Sequence, residues 1–164
     1  QFHQRFDVGL GSLHEILTHV VGAMRRWADR LERRPVRAAI DNPPRNAGMP
    51  SEYRVRTPDQ IIVLLDEAAA ELASLAARYE RAGAGEGGLA TEIEFMLDGV
   101  RVRSTRGAGL VHVTTHGSHH RAQCLNLLRR SGLTRLPELT VVDWQSEVET
   151  KVVEAGLRRN VIAR

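Results

Sequence analysis

Two apolar stripes of helical period constrain the fold more than any other feature of this chain. In the first, Leu13, Ile16, Leu17, Val20, Met24, Trp27 and Leu31 recur at three- and four-residue spacing, the pattern of a helix with one face turned to a core. Ser12 followed by Glu15 has the form of a capping box at its start, and Pro35 marks its expected end. In the second stripe Ile61, Leu64, Leu65, Ala68, Leu72, Leu75, Ala76 and Tyr79 repeat the pattern, opened by Thr57-Pro58-Asp59-Gln60 with proline at the first helical position. Residues 35–56, with Pro35, Pro43, Pro44 and Pro50, carry little periodicity and read as a long ordered loop or surface crossing.

The run Gly83, Gly85, Gly87, Gly88 ends the second helix. It lacks both a following GK[ST] and a preceding strand, so it reads as a helix exit and not as a phosphate cradle. The period then changes from 3.6 to 2. Ile93, Phe95 and Leu97 alternate with Glu94 and Met96, Asp98-Gly99 supplies a two-residue turn, and Val100 and Val102 alternate with arginines. This predicts a β-hairpin over Thr91–Thr105. A third helix is expected from about Ala108 to Ser131, with Leu110, Val113, Gly117, Cys124, Leu127 and Leu128 inward and Gly132 as the C′ residue. The β-branched group Val111, Val113, Thr114, Thr115 leaves a strand as the competing reading of its first turns. A shorter amphipathic helix is expected from Asp143, with Trp144, Val148, Val152 and Leu157 inward. Three to four helices with a hairpin insertion make a mainly α chain, one helical-bundle domain over residues 1–164.

Composition excludes several functions. No apolar run approaches the roughly 20 residues needed to cross a bilayer, and no secretory signal pattern is present. The expectation is a cytoplasmic protein with no membrane partner. A net charge of +3, carried almost wholly by arginine since Lys151 is the sole lysine, is too mild to argue for nucleic acid. The single cysteine, Cys124, rules out an intrachain disulfide framework.

The chemistry concentrates in the third helix. His112, His116, His119 and His120, four of the seven histidines, fall within nine residues. In a helix, His112, His116 and His120 stand at successive i, i+4 positions and share a face, and two imidazoles one turn apart can reach one divalent ion. His112 stands beside His116, where it can orient that ligand or serve as a ligand itself. His119 points about 100° away from His120, toward the surface or a neighbouring helix. A third ligand from the first helix is either His14 or His19, which flank the apolar stripe on opposite sides. Periodicity cannot choose between them, and His14 is expected to be exposed. Cys124 continues the spacing by one more turn and reads as a small core residue, with a thiolate ligand or nucleophile as the rival reading. Arg25, Arg26, Arg30, Arg33 and Arg34 follow the polar face of the first helix.

The run HGSHHRAQ, His116–Gln123, followed by LLRRSG, resembles the HxxxHR-x-Q signature of the DinB/YfiT-like metalloenzymes. SLHEILTHVVGAMRRW, Ser12–Trp27, resembles that family's second helix, and the hairpin before the histidine helix fits as well. The resemblance spans Ser12 to Asp143. It implies a four-helix bundle, usually dimeric, in which one histidine of the second helix and both histidines of HxxxH hold a metal. Carried over by position, the ligands are His19, His116 and His120, with Arg121 and Gln123 belonging to the signature. The family's first helix, which precedes the Ser12 helix, is expected to be missing from this chain, and position 124, usually aliphatic, is cysteine.

Some members are thiol-dependent transferases or isomerases using bacillithiol, mycothiol or glutathione. The resemblance therefore implies a three-histidine zinc, nickel or iron site and a small-molecule substrate with a low-molecular-weight thiol as cosubstrate. A metal-dependent hydrolase and a stress-induced bundle that binds metal without turnover are the alternative readings.

Overall fold

A computed structural model describes residues 1–41, 50–97 and 99–136 of the chain. Two compact units divide it, residues 1–131 and 132–164, and all the helices and strands named below belong to the first. The amphipathic segment expected from Asp143 lies outside the described residues.

Three helices and a hairpin make up the first unit: α1 (Leu13–Leu31), α2 (Pro58–Ala82), β1 (Glu92–Leu97), β2 (Val100–Thr105) and α3 (Arg106–Arg130). The described residues are mainly helical, with one small antiparallel sheet. Local chemistry sets the boundaries. Ser12 Oγ accepts from the Glu15 N–H at 3.2 Å and donates to Glu15 Oε2 at 2.9 Å. The full reciprocal capping box forms at Thr57 and Gln60, with Pro58 at the first helical position. α1 stops at Leu31, before Pro35, where Arg33 turns the chain with φ 53°. Gly83, at φ 62°, ends α2. In the hairpin Leu97 pairs with Val100 across the expected two-residue turn, with Gly99 at φ 80°. α3 is helical from Arg106, two residues earlier than expected, and no strand forms at Val111–Thr115. Thr105 caps it by accepting from Ala108 N–H. Gly132 follows the Ser131 C-cap with φ 92°.

α1 is the centre of the unit. It packs on α2 and on α3, while α2 and α3 make few contacts with each other. Val21 shares a cluster with Ile61, and Ala28 and Leu31 share another with Leu72, Leu75, Tyr79 and Ile93. α2 therefore runs in the same sense as α1, which explains the long connection between them. α3 runs the opposite way. Its C-terminal Cys124 and Leu127 meet Leu13 and Ile16, and its N-terminal Gly109 lies against Leu31 and Trp27, so close that a Cβ there would stand 2.8 Å from Leu31 Cδ2. Ile16, Leu31 and Leu127 are wholly inaccessible, each contributing roughly 1.5–3 kcal/mol of apolar burial.

Because α1 is central, its polar side is buried too. His14, Thr18, His19, Arg26, Asp29 and Arg30 are all buried; of the arginines expected on the polar face, Arg26 and Arg30 are covered, whereas Arg33 and Arg34 are exposed as expected. Asp29 is satisfied by Arg34 Nε at 2.6 Å and by Arg37 N and Nε at 2.9 and 3.0 Å. Arg34 and Arg37 also pair with Glu71 and so tie the end of α1 to α2. On the opposite side of α1 an apolar trough of about 660 Å³ opens between the three helices, bordered by Leu17, Val20, Leu72, Leu110 and Val113.

Candidate metal centre

α1 and α3 cross antiparallel, which brings the middle of one against the middle of the other. One turn of α3 separates His116 from His120, and both rings meet His19 across the interface. Ring centroids stand 5.1 Å apart for His19 and His116, 4.8 Å for His19 and His120, and 4.5 Å for His116 and His120. One ligand atom from each of the three lies within 4.8 Å of the other two. His19 and His120 are buried and His116 partly so.

Hydrogen bonds fix which nitrogens face inward. His19 Nδ1 donates to Asp41 Oδ2 at 3.0 Å. Asp41, 3% exposed, is itself gripped by Arg26 through Nη1 to Oδ1 at 2.6 Å and Nη2 to Oδ2 at 3.3 Å. Burial pushes the Asp41 carboxyl up, but the hydrogen bonds from His19 and Arg26 and the Arg26 charge outweigh it and hold the group at about 2. Gly22 makes room for this arrangement, since a Cβ there would stand 2.8 Å from Asp41 Oδ1 and 2.9 Å from Arg26 Nη1. On α3, His120 Nδ1 faces Gln123 Oε1 at 2.9 Å, and Gln123 Nε2 reaches His119 Nε2 at 3.0 Å.

With the Nδ1 atoms of His19 and His120 committed outward, their Nε2 atoms face the common point. His19 Nε2 and His116 Nε2 are 3.2 Å apart. Nitrogens sharing one tetrahedral zinc at ordinary Zn–N distances lie roughly 3.3 Å apart, so this pair fits a single small divalent ion. Imidazoles backed by a carboxylate or an amide are also the usual outer shell of a histidine metal site. The donor set therefore suits zinc, nickel or iron(II). Burial, followed by the neighbouring imidazoles, lowers His116 to about 4, which keeps the ring neutral, the form in which it can donate to a metal.

The other sequence candidates fall elsewhere. His112 is outside the three-residue group. Its ring stacks on His116 at 5.6 Å and 29° and lies 4.7 Å from Trp27. His119 is exposed and bonded to Gln123. His14 is not the exposed flank residue expected. It is 2% exposed, accepts the Arg56 N–H through Nε2 at 3.1 Å and is ringed by Phe2, His3 and Tyr53. It takes this place because the N-terminal residues and the 50–56 segment cover that side of α1. Cys124 is buried beside Leu13, Ile16 and Leu127, and burial pushes its thiol up to about 11, the opposite of a reactive thiolate. Arg121 is exposed, whereas Gln123 holds His120.

Asp41, Arg26 and Gly22 were not legible as site residues in the sequence. Asp41 lies 22 residues beyond His19, in a stretch without periodicity. Only a buried aspartate in a proline-rich crossing could have pointed to it, and burial is not visible there.

Fold and site together define a helical protein with a three-imidazole centre able to hold a divalent metal. The chain belongs to the DinB family, whose model matches residues 1–150. Searches of curated proteins and of solved structures returned no match.

Proposed function

We propose that this protein is a divalent-metal-dependent enzyme, a thiol-dependent S-transferase or isomerase whose metal is held by His19, His116 and His120. The observation that carries the proposal is the convergence of three imidazoles from two helices, with Asp41 and Gln123 behind two of them. The family resemblance supports the thiol chemistry. In this reading residues 1–164 form one four-helix-bundle domain that works as a homodimer in the cytoplasm on a small-molecule substrate.

His19, His116 and His120 would hold the divalent ion, which would supply Lewis-acid chemistry toward a thiol or water. The protein's own residues hold that arrangement. Asp41 accepts the Nδ1 proton of His19 and so leaves Nε2 as a donor. Arg26 neutralises Asp41 and fixes its carboxylate plane. Gln123 does for His120 what Asp41 does for His19, without adding charge. Cys124, protonated and buried, is unsuited to be the reacting thiol, which supports an external low-molecular-weight thiol as the sulfur donor.

The test is metal-dependent consumption of an electrophile, monochlorobimane, in the presence of bacillithiol, mycothiol or glutathione. Turnover should require both thiol and metal and vanish in His116→Ala and His120→Ala. Metal-dependent ester hydrolysis with no thiol requirement would move the assignment to a hydrolase. Loss of every activity with metal still bound would leave a binding protein.

A further inference from the structure

The apolar trough between the helices does not end at its widest part. Near Ala76 and Leu110 its volume of about 660 Å³ passes into a second recess of about 480 Å³, which shares those two residues and adds Ala77, Leu89, Gly107 and Val111. The two make one groove along α2 and α3. From Gly107 to Arg121, α3 lines it for about 21 Å at 1.5 Å rise per residue. Small side chains keep it open. Ala69, Ala73 and Ala76 stand on the α2 wall, and a Cβ on Gly117 would meet nothing within 4 Å. Leu65, Leu89 and Val111 are left exposed along it, as in a groove that takes an apolar ligand. His19, His116 and His120 border neither recess, so the groove is separate from the metal centre.

Polar groups on its walls are few, and their placing decides what fits. Thr114 Oγ1 donates to Val111 O at 2.8 Å and Ser118 Oγ to Thr114 O at 3.0 Å, so both hydroxyls are turned back onto α3. A protein partner forms about one hydrogen bond per 100–200 Å² of interface, and these hydroxyls are not available for any. Two charged side chains remain among the described residues, at opposite ends: Arg121 lines the groove with Leu17 and Cys124, and Glu80 lines it with Ala77 and Leu89. Neither forms an ion pair with a described residue.

We propose that the groove binds a single-chain alkyl carboxylate, a free fatty acid, with its head group at Arg121 and its tail running toward Leu110 and Val111. An alkyl chain needs no hydrogen bonds from the walls. The Arg121 guanidinium selects an anionic head, and Glu80 at the far end repels a second one, so the ligand carries one head and lies in one direction. Each methylene that leaves water adds to affinity, which makes a long groove selective for long chains.

The experiment is a calorimetric titration of the full chain at neutral pH with decanoate, decanol, decyltrimethylammonium and hexanoate, each below its critical micelle concentration. One decanoate should bind per chain, more tightly than decanol and far more tightly than the ammonium. Hexanoate, four methylenes shorter, should bind roughly 100-fold more weakly. Arg121→Gln should weaken decanoate roughly fivefold and leave decanol unchanged. Ala73→Trp, at an exposed position of α2, should fill the groove and abolish binding of both while the helical circular dichroism stays that of the wild type. Absence of decanoate binding, equal affinity for the three decyl probes, or decanoate affinity indifferent to Arg121→Gln would overturn the proposal. So would a dimer that Ala73→Trp dissociates, because the groove would then belong to a second copy of the chain.

Discussion

The two walls of the site are built on different principles. The α1 wall is buried and charged: His19 is backed by Asp41, Asp41 by Arg26, and Gly22 leaves space for both. The α3 wall carries no charged partner: His120 is held by an amide, and His116 by the His112 ring and its contact with His19 Nε2. A buried charge pair tolerates no missing partner, because the remaining ion is left desolvated. On the α3 wall, where His120 is equally buried, removing Gln123 leaves no ion behind. The charged half thus belongs to the central helix, and the neutral half to α3.

That contrast can be broken first at Asp41. Asp41→Ala leaves Arg26 buried and unpaired, and should lower the stability of the metal-free protein by about 3–5 kcal/mol in denaturant unfolding. The equivalent truncation on the α3 wall, Gln123→Ala, should cost far less. Equal losses would erase the distinction.

The second effect is a pH dependence. Burial lowers His116 to about 4 from an ordinary 6.5, so between these values the unfolded chain binds a proton that the folded one does not. Its contribution to stability is complete above about 6.5 and is lost as the pH falls to 4, with a slope of at most about 1.4 kcal/mol per pH unit. Metal-free His116→Ala should show a flatter profile over this window.

Gly22→Ala comes next. The added Cβ meets Asp41 Oδ1 and Arg26 Nη1 inside contact distance, and the forced shift should cost about 1–3 kcal/mol and weaken metal binding through His19. The smallest effect lies at Gly117, where an added Cβ meets nothing within 4 Å. Gly117→Ala should stabilise α3 by about 0.5–1 kcal/mol and leave metal affinity unchanged, as thermal unfolding and a Zn²⁺ titration would show.

The two walls were also unequally legible in the sequence. On α3 the i, i+4 spacing set His112, His116 and His120 on one face and the family signature singled out the last two; Gly132 marked the helix end, whereas the start capped by Thr105 lay two residues before the expected one. Helix starts at Ser12 and Thr57 and the hairpin register were readable for the same reason, since caps, turns and period are local properties. On α1, periodicity left His14 and His19 undecided, and only the family pattern favoured His19. The burial of Arg26 and His14 was hidden because amphipathic spacing identifies the apolar face of a helix without saying what covers the other. Asp41 was hidden because its pairing with His19 depends on a loop returning over α1, which no local signal encodes.

The central claim is that His19, His116 and His120 form one metal centre. Metal content after saturation with Zn²⁺ and gel filtration tests it most directly, for the wild type and for the triple His19→Ala, His116→Ala, His120→Ala variant. A single metal centre predicts one ion per wild-type chain and none in the variant. An empty wild type, or a folded variant that keeps its ion, would contradict it.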